Sequence, residues 1–435
     1  MLQSDTEHIQ YWCTANCTEH IRNSCTNKRN LFKIYRSTND PNFKKYYRNY
    51  CKLLTTVITA AKQKYFDSLI LKSNNKSLAT WNIVNSLTNN NGTINNNSNI
   101  KENNNNSLII ANAFNTYFSS AVKNVINSTS KNKTRSPNDP LTYLKRIFKK
   151  LIPSLSLPST TTHEIHKIIQ SLKTKDSSGY DEVSIRVLKI SAPFILSPLT
   201  YIFNKSLSSG TFPDRLKFSE IKPLYKKGPK TEYSNYRPIS ILTSFSKILE
   251  KLIYIRLHHH FESFNLLANE QFGFRKDLST ESATQALLHT VLQSLDSKKL
   301  VGGLFCDIQK AFDCVDHEIL LSKLEFYGVT GVALKLMRTY IKNRYQRVVI
   351  RDNLHNKVSS QWVSVDHGVP QGSVLGPFLF LVYINDFPQT INNVTNTILF
   401  ADDTSIIISS DNAQDFEINI NRAINDSINW FLAIV

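Results

Sequence analysis

Two adjacent acids enclosed by apolar sequence restrict this chain more than any other feature. Ile398, Leu399 and Phe400 lead into Ala401, Asp402 and Asp403, and Thr404, Ser405, Ile406, Ile407 and Ile408 lead out again. β-Branched and aromatic residues on both sides of a short polar break predict two strands joined by a tight turn. Acids at the end of buried strands are costly unless a cation neutralises them. An isolated Asp-Asp pair is also what a solvated turn looks like, so the rest of the chain has to decide.

A third acid answers the pair. Leu300 to Ile308 reads as a strand ending at Asp307, ninety-five positions before Asp402. Two divalent metals about 3.5–4 Å apart would neutralise such a set and hold a triphosphate in line for attack. Further β-rich runs are Ile221 to Tyr225 and Val348 to Ile350, with helical patterns at His163 to Leu172, Phe245 to Phe264 and Thr280 to Leu295. Helices alternating with short strands predict an α+β architecture with antiparallel pairing. Val374 to Ile384 is apolar enough to be a buried core segment.

Three regions are expected. Residues 1–88 read as a helical, basic N-terminal region, in which Lys and Arg alternate with Tyr35, Tyr46, Tyr47 and Tyr65. That interleaving suits phosphate contact with base stacking, or equally a plain amphipathic helix pair with a solvated basic face. Residues 89–157 read as an asparagine-rich linker and helical connector; a second soft stretch runs from Ser128 to Pro140. The remainder, 158–435, holds the acids, with the core motifs in 207–435.

The formal net charge is +18, which favours a polyanionic partner, nucleic acid before an anionic membrane surface. No uninterrupted apolar run reaches the ~18 residues that span a bilayer, and no membrane role is expected. The start, Met1-Leu2-Gln3-Ser4-Asp5, is unlike a signal peptide, so the chain is expected inside the cell with reduced cysteines. Cys13, Cys17, His20 and Cys25 do not follow common zinc spacings, and Cys306 and Cys314 read as packing residues. His258, His259 and His260 point to different faces of a partly solvated helix end, which disfavours a metal site.

Six blocks in order then identify a family resemblance. Phe400-Ala401-Asp402-Asp403 resembles the Tyr/Phe-x-Asp-Asp signature of reverse transcriptases, and Asp307-Ile308-Gln309-Lys310-Ala311-Phe312-Asp313 resembles their first aspartate motif. Gly368-Val369-Pro370-Gln371-Gly372-Ser373 looks like the motif between them. Ile221 to Gly228, with Asn235-Tyr236-Arg237-Pro238, is similar to the fingers motifs; Glu270-Gln271-Phe272-Gly273-Phe274-Arg275 is a further block, and Ser178-Gly179-Tyr180-Asp181 an extra upstream one. The set is similar to the polymerases of LINE-type (non-LTR) retrotransposons, in particular the jockey-like and chicken-repeat-like groups, strongly over about residues 160–435.

That resemblance implies a right-hand polymerase with fingers and palm and an antiparallel palm sheet. It implies RNA-directed DNA synthesis on an RNA template from a DNA primer and deoxynucleoside triphosphates, in a ribonucleoprotein with the element RNA found in nucleus and cytoplasm. Asp307, Asp402 and Asp403 would be catalytic and bind two Mg2+ ions, with Mn2+ as a substitute and the Ile308 carbonyl as an added ligand. Lys226 and Arg237 would hold incoming phosphates, with Lys222 and Lys227 as rivals for the lysine role. Phe312 would exclude a 2′-hydroxyl, or be plain core. Gln371 and Gly372 would floor the nucleotide pocket, the glutamine amide bonding the template strand. Phe274 and Arg275 either guide template or serve packing. The chain stops shortly after the aspartate hairpin, so a truncated fragment without thumb is expected, with Trp430 and Phe431 left at exposed surface. A catalytically inactive nucleic-acid-binding remnant is the alternative reading.

Overall fold

A computed structural model describes residues 19–72, 76, 80, 107–130, 141–147, 151–352, 356–391 and 395–434. Cys13, Cys17 and the asparagine-rich stretch 89–106 lie outside these residues. The chain forms two compact units, Met1–Asn96 and Asn97–Val435.

In the first unit, helices Glu19–Ser37 and Pro41–Lys72 pack together on Ile21, Leu54 and Ile58. Tyr35 and Tyr47 meet across the pair with ring centroids 4.8 Å apart. Burial, with help from Cys51, pushes the Tyr47 hydroxyl up to about 12. These two tyrosines are engaged in holding the helices together, whereas Tyr46 on the same helix is exposed.

The second unit contains two sheets. In the first, β1 (Phe218–Tyr225) pairs antiparallel with β2 (Tyr236–Leu242) and parallel with β4 (Arg344–Arg351). Two short strands, β5 (Lys357–Ser359) and β6 (Val363–Val365), pair antiparallel with opposite ends of β4. Helix Ser107–Ser130 packs on this sheet, where Phe114 closes over Ile221, Tyr236 and Val348. Fully burying a side chain of that size contributes about 1.5–3 kcal/mol.

The second sheet is β3 (Leu300–Asp307), β8 (Asp403–Ser410) and β7 (Thr395–Phe400), in that order and antiparallel throughout. Side chains alternate across a strand. Thr404, Ile406 and Ile408 therefore lie on one face of β8, and Asp403, Ser405 and Ile407 on the other. Leu304, Leu399, Ile406 and Ile408 join the main core. On the opposite face of β3, Gly303, Phe305 and Asp307 are all exposed. The acids thus stand on the open side of a sheet whose other side is anchored.

The core centres on helix Gly376–Ile384, where every residue but Pro377 is buried, as the apolar run predicts. Helix Ser244–Ser263 begins at Thr243, whose hydroxyl accepts the Ser246 N–H and relieves an unpaired helix-start donor. One expectation is corrected at the end of the chain. Trp430 is fully buried rather than exposed: helix Ala413–Ile434 turns it against Phe387, and its indole N–H donates to Asp386 across 3.1 Å.

A second correction concerns helix Ile185–Ser209, which by length and composition alone could cross a bilayer. Scanning for unbroken apolar runs misses it because Arg186, Lys189 and two prolines interrupt the pattern. Its Leu188, Ala192, Phe203 and Leu207 are buried in the core of this unit.

Candidate active site

The β7–β8 connection is as short as a hairpin allows. Phe400 pairs with Asp403, leaving Ala401 and Asp402 as the whole turn. Ala401 takes φ of +57°, a left-handed conformation that costs a non-glycine residue roughly 1–2 kcal/mol. Neighbouring backbone braces it. The Phe272 N–H donates to the Leu399 carbonyl and the Leu399 N–H to the Glu270 carbonyl, each across 2.8 Å. Gly273 presses so close that a Cβ there would lie 2.3 Å from the Ala401 nitrogen.

Across the sheet, Asp307 is the register partner of Asp403. Asp402 follows in the turn, half-buried. Its carboxyl is raised above the usual range, first by burial and then by repulsion from Asp403 and Asp307, while Arg237 pulls it down. The backbone thus gathers the three acids that spacing singled out. Their side chains do not close into a ligand set: among the described residues no three acidic, histidine or cysteine groups are close enough to hold a metal ion. What the site offers a cation is accumulated negative charge on an open face. Ile308 follows with its side chain against the core.

Arg237 lies exposed on β2 opposite Leu224 of β1. Alternation puts Lys222 on the same face, and continuing it past the strand end puts Lys226 there too. The Lys226 N–H donates to the Asn235 carbonyl across 2.8 Å, which extends the ladder by one residue. Lys227 falls out of this row.

Phe312 is half-buried, stacked on Phe380 with centroids 4.5 Å apart and met edge-on by Phe274 at 6.0 Å. It is both packed and partly open, so the two readings of it are not exclusive. Phe274 is exposed at a φ of +54°. Arg275 is turned inward, its guanidinium donating to the Ala268 carbonyl across 2.9 Å. That bond holds the loop before it and favours the packing reading for Arg275.

Gln371 and Gly372 sit on β2: the Ser240 N–H donates to the Gln371 carbonyl across 2.8 Å, and a Cβ on Gly372 would meet the Ser240 carbonyl at 2.7 Å. The Gln371 amide nitrogen donates one of its two hydrogens to Asp313 across 2.9 Å. Burial pushes the Asp313 carboxyl up to about 6, against the pull of Gln371 and Lys310. Both residues line a cavity of about 160 Å³ shared with Ile221, Pro238, Ser240 and Arg344.

Other residues shape the site without having stood out in the sequence. Glu250 is completely buried and accepts the Val374 N–H across 2.6 Å and the Ser246 hydroxyl across 2.9 Å. It ties the start of the segment before helix Gly376–Ile384 to helix Ser244–Ser263. An acid within the apolar stripe Ile248, Leu249, Leu252, Ile253 was the available signal. His317 bonds the Gly368 carbonyl across 2.8 Å, and the Val369 N–H donates to the Phe312 carbonyl across 2.9 Å. The histidine run divides by environment: His260 is buried against the Tyr327 carbonyl, His258 lies 3.2 Å from Glu262, and His259 is exposed.

Comparison with known proteins finds similarity over the same part of the chain. The family model described as reverse transcriptase (RNA-dependent DNA polymerase) matches residues 225–434, which contain Lys226, Arg237, Asp307, Asp402 and Asp403. The chain is 36% identical over 242 residues to the probable RNA-directed DNA polymerase from transposon BS of Drosophila melanogaster, covering 54% of this chain and 25% of that protein. It is 32% identical over 265 residues to the RNA-directed DNA polymerase from mobile element jockey of the same species, covering 59% and 28%. It is 32% identical over 264 residues to the probable RNA-directed DNA polymerase from transposon X-element, covering 58% and 28%. The chain therefore spans about a quarter of the length of these curated relatives.

Proposed function

We propose that residues 225–434, which the reverse transcriptase family model matches, form a reverse transcriptase domain like those of the non-LTR retrotransposon polymerases the chain resembles, and that the chain copies RNA into DNA. The observation that carries the reading is the meeting of Asp307 and Asp403 across β3 and β8, with Asp402 in the adjoining turn. In this reading the β3–β8–β7 sheet is the palm and the β1–β2–β4 sheet the fingers.

Asp307, Asp402 and Asp403, with the Ile308 carbonyl, would hold divalent magnesium, or manganese in its place. Bound there, the metal would supply the Lewis acidity that activates a primer 3′-hydroxyl and steadies the leaving phosphate. The fit lies in the charge: Asp307 and Asp403 stand on an open face with Asp402 in the adjoining turn, its carboxyl raised first by burial and then by repulsion from the other two. Arg237 and Lys226, from one face of the β1–β2 pair, attract and orient the triphosphate, the arginine through its fork and the lysine as a point charge. Phe312, backed by Phe380, stands as a rigid wall against the sugar and favours deoxynucleotides. Gly372 keeps the pocket floor low. Gln371, oriented by its bond to Asp313, keeps a second amide hydrogen and its carbonyl oxygen for the template strand. Phe274 remains available to the template, whereas Arg275 supports its loop. RNA template, DNA primer and element RNA are the partners, and the particle would work within nucleus and cytoplasm.

Extension of oligo-dT on poly-rA with magnesium tests the reading. The chain should incorporate dTTP, and Asp307→Ala or Asp402→Ala should lower incorporation on the order of 10³-fold, about 4 kcal/mol of transition-state stabilisation. Unchanged incorporation in both variants sinks the assignment. Primer–template binding without extension by the unsubstituted chain would favour a nucleic-acid-binding remnant.

A further inference from the structure

We propose that Gln271 is the positioning residue of the acidic centre: its side-chain oxygen ties the Ala401–Asp402 turn to Gly273 and so sets where Asp402 stands. The inference rests on the metal-binding reading of the three acids and adds a residue outside them.

One oxygen does the tying. Gln271 Oε1 accepts the Ala401 N–H across 2.9 Å and the Gly273 N–H across 2.8 Å. Gln271 is 3% exposed, so both bonds form away from water, where they are stronger. Ala401 needs such a hold. It occupies the left-handed region without being glycine, and conformations of that kind persist only where the surroundings over-determine them. Asp402 is the next residue, so a change in the Ala401 backbone swings its carboxylate directly.

The choice of amide over acid is informative. A glutamate at 271 could accept the same two N–H groups and would have no donor left over. Among the described residues the glutamine Nε2 finds no hydrogen-bond partner, an arrangement that costs about 1–3 kcal/mol for a buried polar group. A carboxylate there would add a negative charge against the turn that carries Asp402. The neutral acceptor holds the turn without adding to that charge.

The test compares the full chain with Gln271→Leu, Gln271→Glu and, as a control on the centre itself, Asp402→Asn. Three quantities are measured: hydrogen exchange of the peptide covering Ala401, Mn2+ affinity by electron paramagnetic resonance, and the urea unfolding midpoint. Gln271→Leu should exchange faster at Ala401 and bind Mn2+ about 10–100-fold more weakly, the range for losing a group that orients a metal ligand. Gln271→Glu keeps the acceptor, so it should retain Ala401 protection and bind Mn2+ no more weakly than the unsubstituted chain. A purely structural role would lower the unfolding midpoint without separating these two variants in Mn2+ affinity. Unchanged exchange and affinity in Gln271→Leu overturn the proposal, as does loss of Ala401 protection in Gln271→Glu. Undiminished Mn2+ binding by Asp402→Asn would instead overturn the reading of the acids and leave the Ala401 tie to be judged by exchange alone.

Discussion

The amide of Gln371 donates to the carboxylate of Asp313 across 2.9 Å, linking the loop before helix Gly376–Ile384 to the segment that follows Asp307. The bond joins residues from two separate motifs and orients the amide expected to meet the template strand.

Asp313 gives this link a pH dependence. Its folded pKa is raised to about 6 by burial, whereas an unfolded aspartate titrates near ~3.9. An acid raised in the folded state binds its proton more tightly there. Folding stability is therefore free of the penalty below the unfolded value, falls as pH rises between the two, and bears the full penalty above about 6. Asp313→Asn retains an acceptor for Gln371 and has no charge to bury. Its urea unfolding free energy should exceed that of the unsubstituted chain by roughly 1–3 kcal/mol at neutral pH and match it near the unfolded pKa. A constant difference across that range would contradict the assignment.

Phe312 offers a test of sugar selection. Its ring is packed on Phe380 and partly open, so truncation removes both a wall and a contact. Phe312→Ala should narrow the preference for dTTP over UTP on poly-rA by about 10–200-fold in kcat/KM, the range available to a pocket that discriminates by shape. The same change should lower stability by about 2–4 kcal/mol, somewhat less than for a fully buried phenylalanine. Retained discrimination in a folded variant would return Phe312 to the core alone.

Lys323 and Asp386 form an ion pair with both side chains fully buried and 2.5 Å between nitrogen and oxygen. Lys323 also donates to the Tyr383 carbonyl across 2.6 Å, and Asp386 accepts from Trp430. Burial lowers the lysine pKa, opposed by Asp386. Lys323→Ala should cost about 3–5 kcal/mol because it strands a buried carboxylate, whereas Lys323→Met with Asp386→Leu should recover most of that loss. Denaturant unfolding of the three chains measures both. Equal losses in the single and double variants would mean that the pair is doing more than neutralising itself.

The strands around the acids and the helix Gly376–Ile384 were legible because apolar and β-branched periodicity follows from local backbone geometry. Asp307, Asp402 and Asp403 stand out at the ends of apolar strands, but it is the six ordered motifs, not the acids alone, that mark them as a candidate site. The roles of Gln271 and Glu250 were not legible. Gln271 looks like an ordinary polar residue until its burial is known, and Glu250 shows only as an acid interrupting an apolar stripe; the partner of each lies more than a hundred positions away, Ala401 for Gln271 and Val374 for Glu250. Trp430 was misjudged for the same reason, since the sequence near it does not reveal Asp386 and Phe387 as its neighbours.

By itself, then, the sequence determined which residues carry the charge and where the strands bearing the acids run, though not their ends, because those properties are set by side-chain chemistry and by neighbours a few positions apart. The tertiary structure alone decided how those residues are held. Register placed Asp307 opposite Asp403, a buried amide braced the turn beneath Asp402, and Gln371 was claimed by Asp313. Such bonds form between groups far apart along the chain, and a polar group taken out of water must find whichever partner the packing brings to it.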